Sequence, residues 1–440
     1  MSPPPVTMMS VRKLRPNKRN TRTHSKKQIR RIADSIKRFG FTIPILVDEN
    51  GFILAGHARL AAAQLLGMRE VPVLVALGLS DAEKRAYILA DNKLAEMAGY
   101  DRAALAIELD ELAPLLTEAG LDIALTGFEP AEIDALMNDH VDSEHDPADD
   151  VMQTASHAVS RSGDLWQMGS HRLQCGDARK AKDYRQLLVR ESAAMVFTDP
   201  PYNVRISSVQ GRGKIKHREF AEGSGEMSPE QFISFLTQTL SHAASHSANG
   251  SIHFICMDWR HTPELKAAGE QAYSELKNLI VWVKTNAGQG TFYRSQHEFI
   301  LVFKNGDAPH INNFELGQHG RSRSNVWTYA GVNTFRTGRL ADLAIHPTVK
   351  PVALVADAMR DCSRRGDIVL DPFMGSGTTI LAAERVGRRG YGLEIDPLYV
   401  DAAIRRWQAF TKRDAILKAT GQTFEEVAED RASKQRRRVK

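Results

Sequence analysis

Over the first hundred residues, apolar positions recur at helical and strand spacings in short, well-punctuated segments. The stretch "SKKQIRRIADSIKRFG" sets Ile29, Ile32, Ala33 and Ile36 on one helical face, with Ser25 as cap and Gly40 as stop. "TIPILVDENGFILAG" predicts a hairpin turning at Asn50 and Gly51. A second helix, "HARLAAAQLLG", starts directly after Gly56, and "VPVLVA" is a further strand. Ser80 and Glu83 form a capping box that opens a helix through Ala98. These segments predict a compact α+β unit over residues 11–100, preceded by a disordered stretch over 1–10.

Helical patterning continues to about Met137, and the acidic run "DHVDSEHDPADD" with "QTASHAVSRSG" then predicts a linker. Residues 101–160 therefore read as a helical segment and acidic linker. From Asp164 onward strands alternate with helices: "AAMVFTD", "GSIHFICMD", "LIVWVK", "EFILVFK", "DIVLDP" and "GYGLEID". That alternation predicts an α/β domain over 161–410, largely a parallel sheet with helices on both faces. Residues 411–440 read as a basic, disordered tail.

Composition changes this picture little. The chain has 440 residues, 25% charged and 42% hydrophobic, with room for two or three cores. It has no apolar run of membrane-spanning length and no signal-peptide core, so a cytoplasmic protein without membrane contact is expected. Cys175, Cys256 and Cys362 lie far apart, which speaks against a zinc cluster, a disulfide framework or any bound metal. The net charge of +5 is unevenly placed. Residues 12–38 are densely basic with Asp34 as the only acid, and the tail "RASKQRRRVK" has no acid at all. Such clusters suit a polyanion such as DNA.

Two strand ends carry candidate chemistry. In "VFTDPPYNV" a β-branched and aromatic run stops at an acid, two prolines and a tyrosine. Pro200 and Pro201 lack backbone donors and hold the chain extended, so no helix starts there. In "DIVLDPFMGSGTT" a buried strand ends in an acid, and a glycine-rich turn leads into a helix. Gly375 and Gly377 let a ligand approach backbone donors at the helix start. The next strand ends in "GYGLEIDP", which places Glu394 where an acid binds ribose hydroxyls. No lysine follows "GSGTT", so an adenosyl group without phosphates fits better than a nucleotide phosphate.

Together, "TDPPYNV", "HPTVKP", "DPFMGSGTT" and "GLEIDPLYVDAA" resemble the amino-methylating DNA methyltransferases that use S-adenosylmethionine. The aspartate motif precedes the glycine motif, as in the circularly permuted β-class of that family. The resemblance implies a Rossmann-like methyltransferase domain with S-adenosylmethionine as its cofactor. It implies that Asp371, Phe373, Gly375, Gly377 and Thr378 surround the methionine part and that Glu394 holds the ribose. It also sets Lys350 near the cofactor carboxylate and Asp177 near the adenine amine, roles for which a surface lysine and a turn acid are the plain alternatives.

The catalytic set implied is Asp199, Pro200, Pro201 and Tyr202. Asp199 and the Pro200 carbonyl would hold the two hydrogens of an exocyclic amine, and Tyr202 would stack on a flipped base. No Pro-Cys pair is present, which speaks against methylation at a ring carbon. An aspartate opening the motif is commoner among adenine enzymes, so N6-methyladenine in double-stranded DNA is expected, with N4-methylcytosine as the alternative. Arg205, Arg212, Lys214 and Lys216 lie in a glycine-rich loop read as closing on DNA phosphates. Arg321 and Arg323 lie in the segment read as target recognition.

Residues 11–97 resemble the nuclease-like domain of ParB partition proteins, with "GHARLAAAQLLG" at its phosphate-contacting box. ParB domains more often carry an acid and paired arginines there, so His57 and a single Arg59 leave nucleotide binding open. A homodimer is compatible with this reading. A non-catalytic ParB-like DNA-binding protein and a methyltransferase for protein glutamine or RNA stand as the competing functions. The intact aspartate and glycine motifs speak against the first, and the ParB-like unit with the basic recognition segment speaks against the second.

Overall fold

The computed structural model describes residues 5–17, 20–97, 99–121, 123–128, 130–137, 147–149, 157–204, 225–284, 293–314, 323–329 and 350–439. The chain divides into two compact units, residues 1–137 and 138–440.

The first unit is built on four strands: β1 (Thr7–Ser10), β2 (Ile45–Val47), β3 (Ile53–Ala55) and β4 (Glu70–Val75), in the order β1-β4-β2-β3. The β2–β3 hairpin turns where its Asn-Gly pair predicts. Asp48 accepts the backbone N–H groups of Asn50 and Phe52, each at 2.9 Å, and Gly51 adopts a φ of 78°. Helices α1 (Lys26–Phe39), α2 (His57–Leu65) and α3 (Asp81–Met97) follow the expected segments. Ser25 caps α1 through the Gln28 N–H, and Ser80 and Glu83 form their reciprocal cap. Ile45, Ile53, Leu60 and Val73 close the core between sheet and helices. Two further helices, α4 (Arg102–Glu118) and α5 (Pro130–Met137), complete the unit.

The N-terminal stretch differs from expectation. Thr7–Ser10 is a strand, paired antiparallel to β4 with Met9 opposite Val71. An open sheet edge with unpaired backbone groups captures this β-prone segment, although its sequence alone has too little apolar surface to order itself.

The second unit is a ten-stranded mixed sheet: β5 (Leu165–Met168), β6 (His171–Cys175), β7 (Ala193–Thr198), β8 (Ser247–Met257), β9 (Glu275–Val283), β10 (His297–Lys304), β11 (Val326–Thr328), β12 (Ile368–Asp371), β13 (Arg389–Glu394) and β14 (Ile416–Leu417). Strands β8, β7, β12, β13 and β6 lie side by side and parallel in the centre. Towards the edges β10 and β5 pair antiparallel with both neighbours, while the edge strand β11 runs parallel to β9, so the sheet is mixed outside its centre.

Side chains of the central strands alternate between two cores. Met195 and Phe197 pack on one face with Phe254, while Val196 packs on the other with Ile255. Helices α6 (Ala181–Leu188), α7 (Pro229–Ser245) and α8 (Thr262–Ala272) cover the second face. Helices α9 (Val352–Cys362), α10 (Thr378–Arg385) and α11 (Pro397–Thr411) cover the first. The carboxyl ends of β7, β12 and β13 therefore fall on one edge, and the start of the antiparallel β10 lies there as well. Among the described residues, no helix is long and apolar enough to cross a membrane.

The tail is also folded, contrary to its basic composition. Strand β14 pairs with β5, and helix α12 (Phe424–Val439) follows a reciprocal cap between Thr423 and Glu426. Phe424 is 1% exposed and packs its ring 5.3 Å from that of Trp166. Phe424 and Val427, both buried, thus anchor a helix that is otherwise largely polar. Phe424→Ala should lower stability by about 3 kcal/mol or more, read as a lower guanidinium midpoint followed by tryptophan fluorescence.

Candidate active site

The chemistry gathers where the parallel strands end. Asp371 closes β12 and is nearly buried, and it ties two motifs together. Its Oδ1 accepts the Thr198 hydroxyl at 2.7 Å, from the last residue of β7, and the Phe373 N–H at 3.0 Å. Its Oδ2 accepts the Thr379 hydroxyl at 2.6 Å, from the first turn of α10. Burial pushes this carboxyl up to about 6 despite those donors.

Glu394 closes β13 beside it. Its oxygens accept the Gly375 and Asp396 N–H groups, each at 2.8 Å, and burial raises its pKa to about 7. Gly375 and Gly377 both adopt left-handed conformations, with φ of 54° and 90°. A Cβ on Gly377 would lie 2.8 Å from the Ala403 Cβ, so only glycine allows α11 to pack against this turn. Gly377 caps α10, and Thr378 is its first residue. The Phe373 ring lies 6.0 Å from that of Phe235. An ionisable buried acid beside a glycine turn that opens a helix fits the adenosyl and methionine parts of S-adenosylmethionine. Spare acceptor positions on Glu394 suit ribose hydroxyls, and the bare turn admits the chain close to backbone.

The DPPY segment forms a separate ionic cluster. Lys350 is 5% exposed, and its Nζ lies 2.6 Å from Asp199 Oδ2 and 3.1 Å from Glu298 Oε2. The Tyr202 hydroxyl donates to Asp199 Oδ1 at 2.6 Å and lies 3.2 Å from Glu298. Lys350 donates to the same hydroxyl at 3.1 Å and sits 5.4 Å from the centre of the Tyr202 ring. Lys284 pairs with the other oxygen of Glu298. Burial raises the Asp199 carboxyl above its usual range, Lys350 opposes the rise, and Glu298 adds to it. For Glu298, burial alone would raise the pKa, but Lys350 and Lys284 hold it at about 2.

Several of the expected site residues are engaged by partners within the chain. Lys350 pairs with Asp199 and Glu298, two carboxylates of the chain itself, where the cofactor carboxylate was expected. Asp177 is bound by Arg179 at 3.1 Å and Lys180 at 3.3 Å, and burial of the carboxyl is outweighed by these cations, leaving its pKa low. Arg323, expected on DNA, is turned inward. It pairs with Asp357 at 2.9 Å and Asp361 at 3.1 Å and lies over the Trp327 ring, because α9 presents two acids there. Arg205, Arg212, Lys214, Lys216 and Arg321 lie outside the described residues.

Three supporting residues were missed. Glu298 is a lone acid at the head of the apolar run "EFILVFK", and that contrast is the signal that marks it. Asn203 holds a positive φ of 53° and accepts the Gly225 and Met227 N–H groups, so it joins the chain on either side of residues 205–224. Arg406, buried on α11, donates to the Ser376 carbonyl at 2.8 Å and supports the glycine turn. In the first unit, Arg59 donates to the carbonyls of Ile43 and Pro44 at 2.7 and 2.8 Å, and the His57 ring accepts the Asn17 N–H. The box expected to meet phosphate is thus engaged within its own fold.

A central parallel sheet with an aspartate-proline-proline-tyrosine strand end beside a glycine turn and a ribose-type acid defines the methyltransferase class of α/β enzyme. Comparison with known proteins agrees. The N6/N4 DNA methylase family matches residues 193–405, the ParB N-terminal domain matches 4–93, and the helix-turn-helix domain of ParB-methyltransferases matches 103–162. That last match covers the stretch read as a helical segment and linker. The chain is 29% identical over 235 residues to the Type II methyltransferase M2.DpnII of Streptococcus pneumoniae, covering 50% of this chain and 84% of that protein. It is 48% identical over 80 residues to the ParB-like nuclease domain-containing protein YnaK of Escherichia coli, covering 18% of this chain and 92% of that protein. The solved PvuII DNA methyltransferase, cytosine-N4-specific, aligns over 63% of this chain and 94% of its own at 15% identity and a TM-score of 0.43. The chain belongs to the ParB-like family through its N-terminal domain, which is joined to an N6/N4 DNA methylase domain, and it is a DNA methyltransferase that uses S-adenosylmethionine.

The raised Glu394 acid gives a test of its burial at this turn. A carboxyl whose folded pKa of about 7 exceeds its ordinary 4.5 stabilises the fold fully below 4.5, and that gain is lost as pH rises to 7. Wild type should therefore gain stability relative to Glu394→Gln between pH 7.5 and pH 5, measured as the difference in thermal midpoints without cofactor. A constant difference would contradict the assignment.

Proposed function

We propose that the chain transfers a methyl group to the N6 amine of adenine in double-stranded DNA, with Asp199 and the Pro200 carbonyl as the amine's acceptors. The supporting observation is the place of Asp199. It stands at the end of β7, one residue beyond the Thr198 that bonds Asp371 of the cofactor-side turn. The acceptor for the amine and the turn for the cofactor are thus held by neighbouring residues of adjacent parallel strands.

An exocyclic amine is conjugated with its ring, so its lone pair is a poor nucleophile. Two acceptors that hold both hydrogens favour a pyramidal nitrogen whose lone pair points out of the ring plane. A carboxylate is a stronger acceptor than a hydroxyl, which suits Asp199 to this task. Each Asp199 oxygen has a second lone pair beyond those used by Tyr202 and Lys350, so the site can take a further donor. Pro200 fixes its carbonyl through the ring, and Pro201 keeps the following chain extended. Tyr202, braced through its hydroxyl, offers a ring to a base that must leave the duplex stack to be reached. S-adenosylmethionine supplies an electrophilic methyl group, held by Asp371, Phe373, Gly375, Gly377, Thr378 and Glu394. Asp177 would reach the adenine amine of the cofactor once Arg179 and Lys180 release it.

The basic face of α1, with Lys26, Lys27, Arg30, Lys37 and Arg38 exposed, adds sequence-independent attraction to DNA. Asp199→Ala should abolish methylation, by about a thousandfold or more, while calorimetric affinity for S-adenosylmethionine survives. Nucleoside digestion and mass spectrometry of treated DNA should yield N6-methyladenine. Substantial turnover by a folded Asp199→Ala protein would overturn the role of Asp199, and N4-methylcytosine as the main product would overturn the choice of base.

A further inference from the structure

Asp199 has to accept the hydrogens of an incoming amine, yet each of its oxygens already receives a donor, Lys350 at 2.6 Å on one and Tyr202 at 2.6 Å on the other. An ammonium in such close contact draws charge from the acceptor and weakens it towards a further donor. The same Nζ lies 3.1 Å from Glu298, and the same hydroxyl lies 3.2 Å from it. A lysine carries three donors and can serve two carboxylates, but the tyrosine has one proton and can serve only one at a time. Glu298 is itself balanced at its other oxygen by Lys284. Two acids and two lysines leave the cluster neutral.

We propose that Glu298 is a positioning residue that takes over the Lys350 ammonium and the Tyr202 hydroxyl when the target amine reaches Asp199, freeing Asp199 to hold the amine. The transfer needs only small rotations, because both donors already reach both carboxylates. Charge stays balanced throughout, since the cation leaves one acid for another. No covalent bond is made or broken. The groups that face Asp199 are Lys350, Glu298 on β10 and Tyr202, with Cys256 on β8 and Asp371 on β12 further off. The inference rests on Asp199 being the acceptor for the amine.

Glu298→Gln in the full-length protein keeps the shape and removes the charge. Without that charge Lys350 stays on Asp199, so kcat for DNA methylation should fall about tenfold or more while affinity for S-adenosylmethionine stays within about twofold. The acid limb of the kcat profile should move to lower pH, because the neighbouring charge that weakens Asp199 as an acid is gone. Glu298→Asp should recover part of the rate. Lys284→Met, at a partly exposed side chain, gives the opposite sign. It strips a cation from the cluster and should move the acid limb to higher pH, and it carries the test if Glu298→Gln does not fold. A Glu298→Gln enzyme with wild-type kcat and an unmoved profile would overturn the proposal, as would cofactor affinity that falls in step with kcat. An inactive Asp199→Ala beside a fully active Glu298→Gln overturns this inference alone, whereas an active Asp199→Ala removes the acceptor role and this inference with it.

Discussion

The buried ammonium of Lys350, set between Asp199 and Glu298, is the interaction on which the site depends. Two carboxylates at the end of one sheet would repel each other in a poorly solvated space, and each would tend to take up a proton. The lysine joins a residue that follows β7 to one that opens β10 and keeps Glu298 strongly acidic. A buried ion cluster of this kind adds little net stability, since desolvation offsets most of the attraction. Its value lies in geometry. It holds the acceptor, the tyrosine and the chain that returns at Lys350 in one arrangement.

Asp371 performs the matching task at the glycine turn proposed to hold the cofactor. With a hydroxyl from β7, a hydroxyl from α10 and a backbone N–H as donors, it couples the strand that bears Asp199 to the turn that bears Gly375 and Gly377. Both carboxyls beside that turn, Asp371 and Glu394, are weakened as acids by burial. Polar hydrogens on a bound ligand would offset that cost, so this turn is suited to accept donors.

Much of this was legible in the chain. Capping residues at Ser25 and Ser80, the Asn50–Gly51 turn and the strands of the α/β unit follow from local chemistry, and each forms where its residues place it. The segments that misled were those whose order comes from elsewhere in the fold. Thr7–Ser10 is a strand because β4 offers it an edge, and the basic tail is a helix because Phe424 finds Trp166. Antiparallel β10, inserted between β8 and β9, made a mixed sheet of one expected to be largely parallel. An apolar strand reads alike in either direction.

The sequence by itself determined the class of chemistry, because the acid, the prolines and the glycines act through backbone geometry that neighbouring residues impose. Only the tertiary structure decided the partners of the charged side chains. Lys350 went to Asp199 and Glu298, Arg323 to Asp357 and Asp361, and Arg59 to the carbonyls of Ile43 and Pro44. A long cationic side chain has no local preference strong enough to fix its partner. Its partner is whichever acid or carbonyl the packing of distant strands and helices brings within reach.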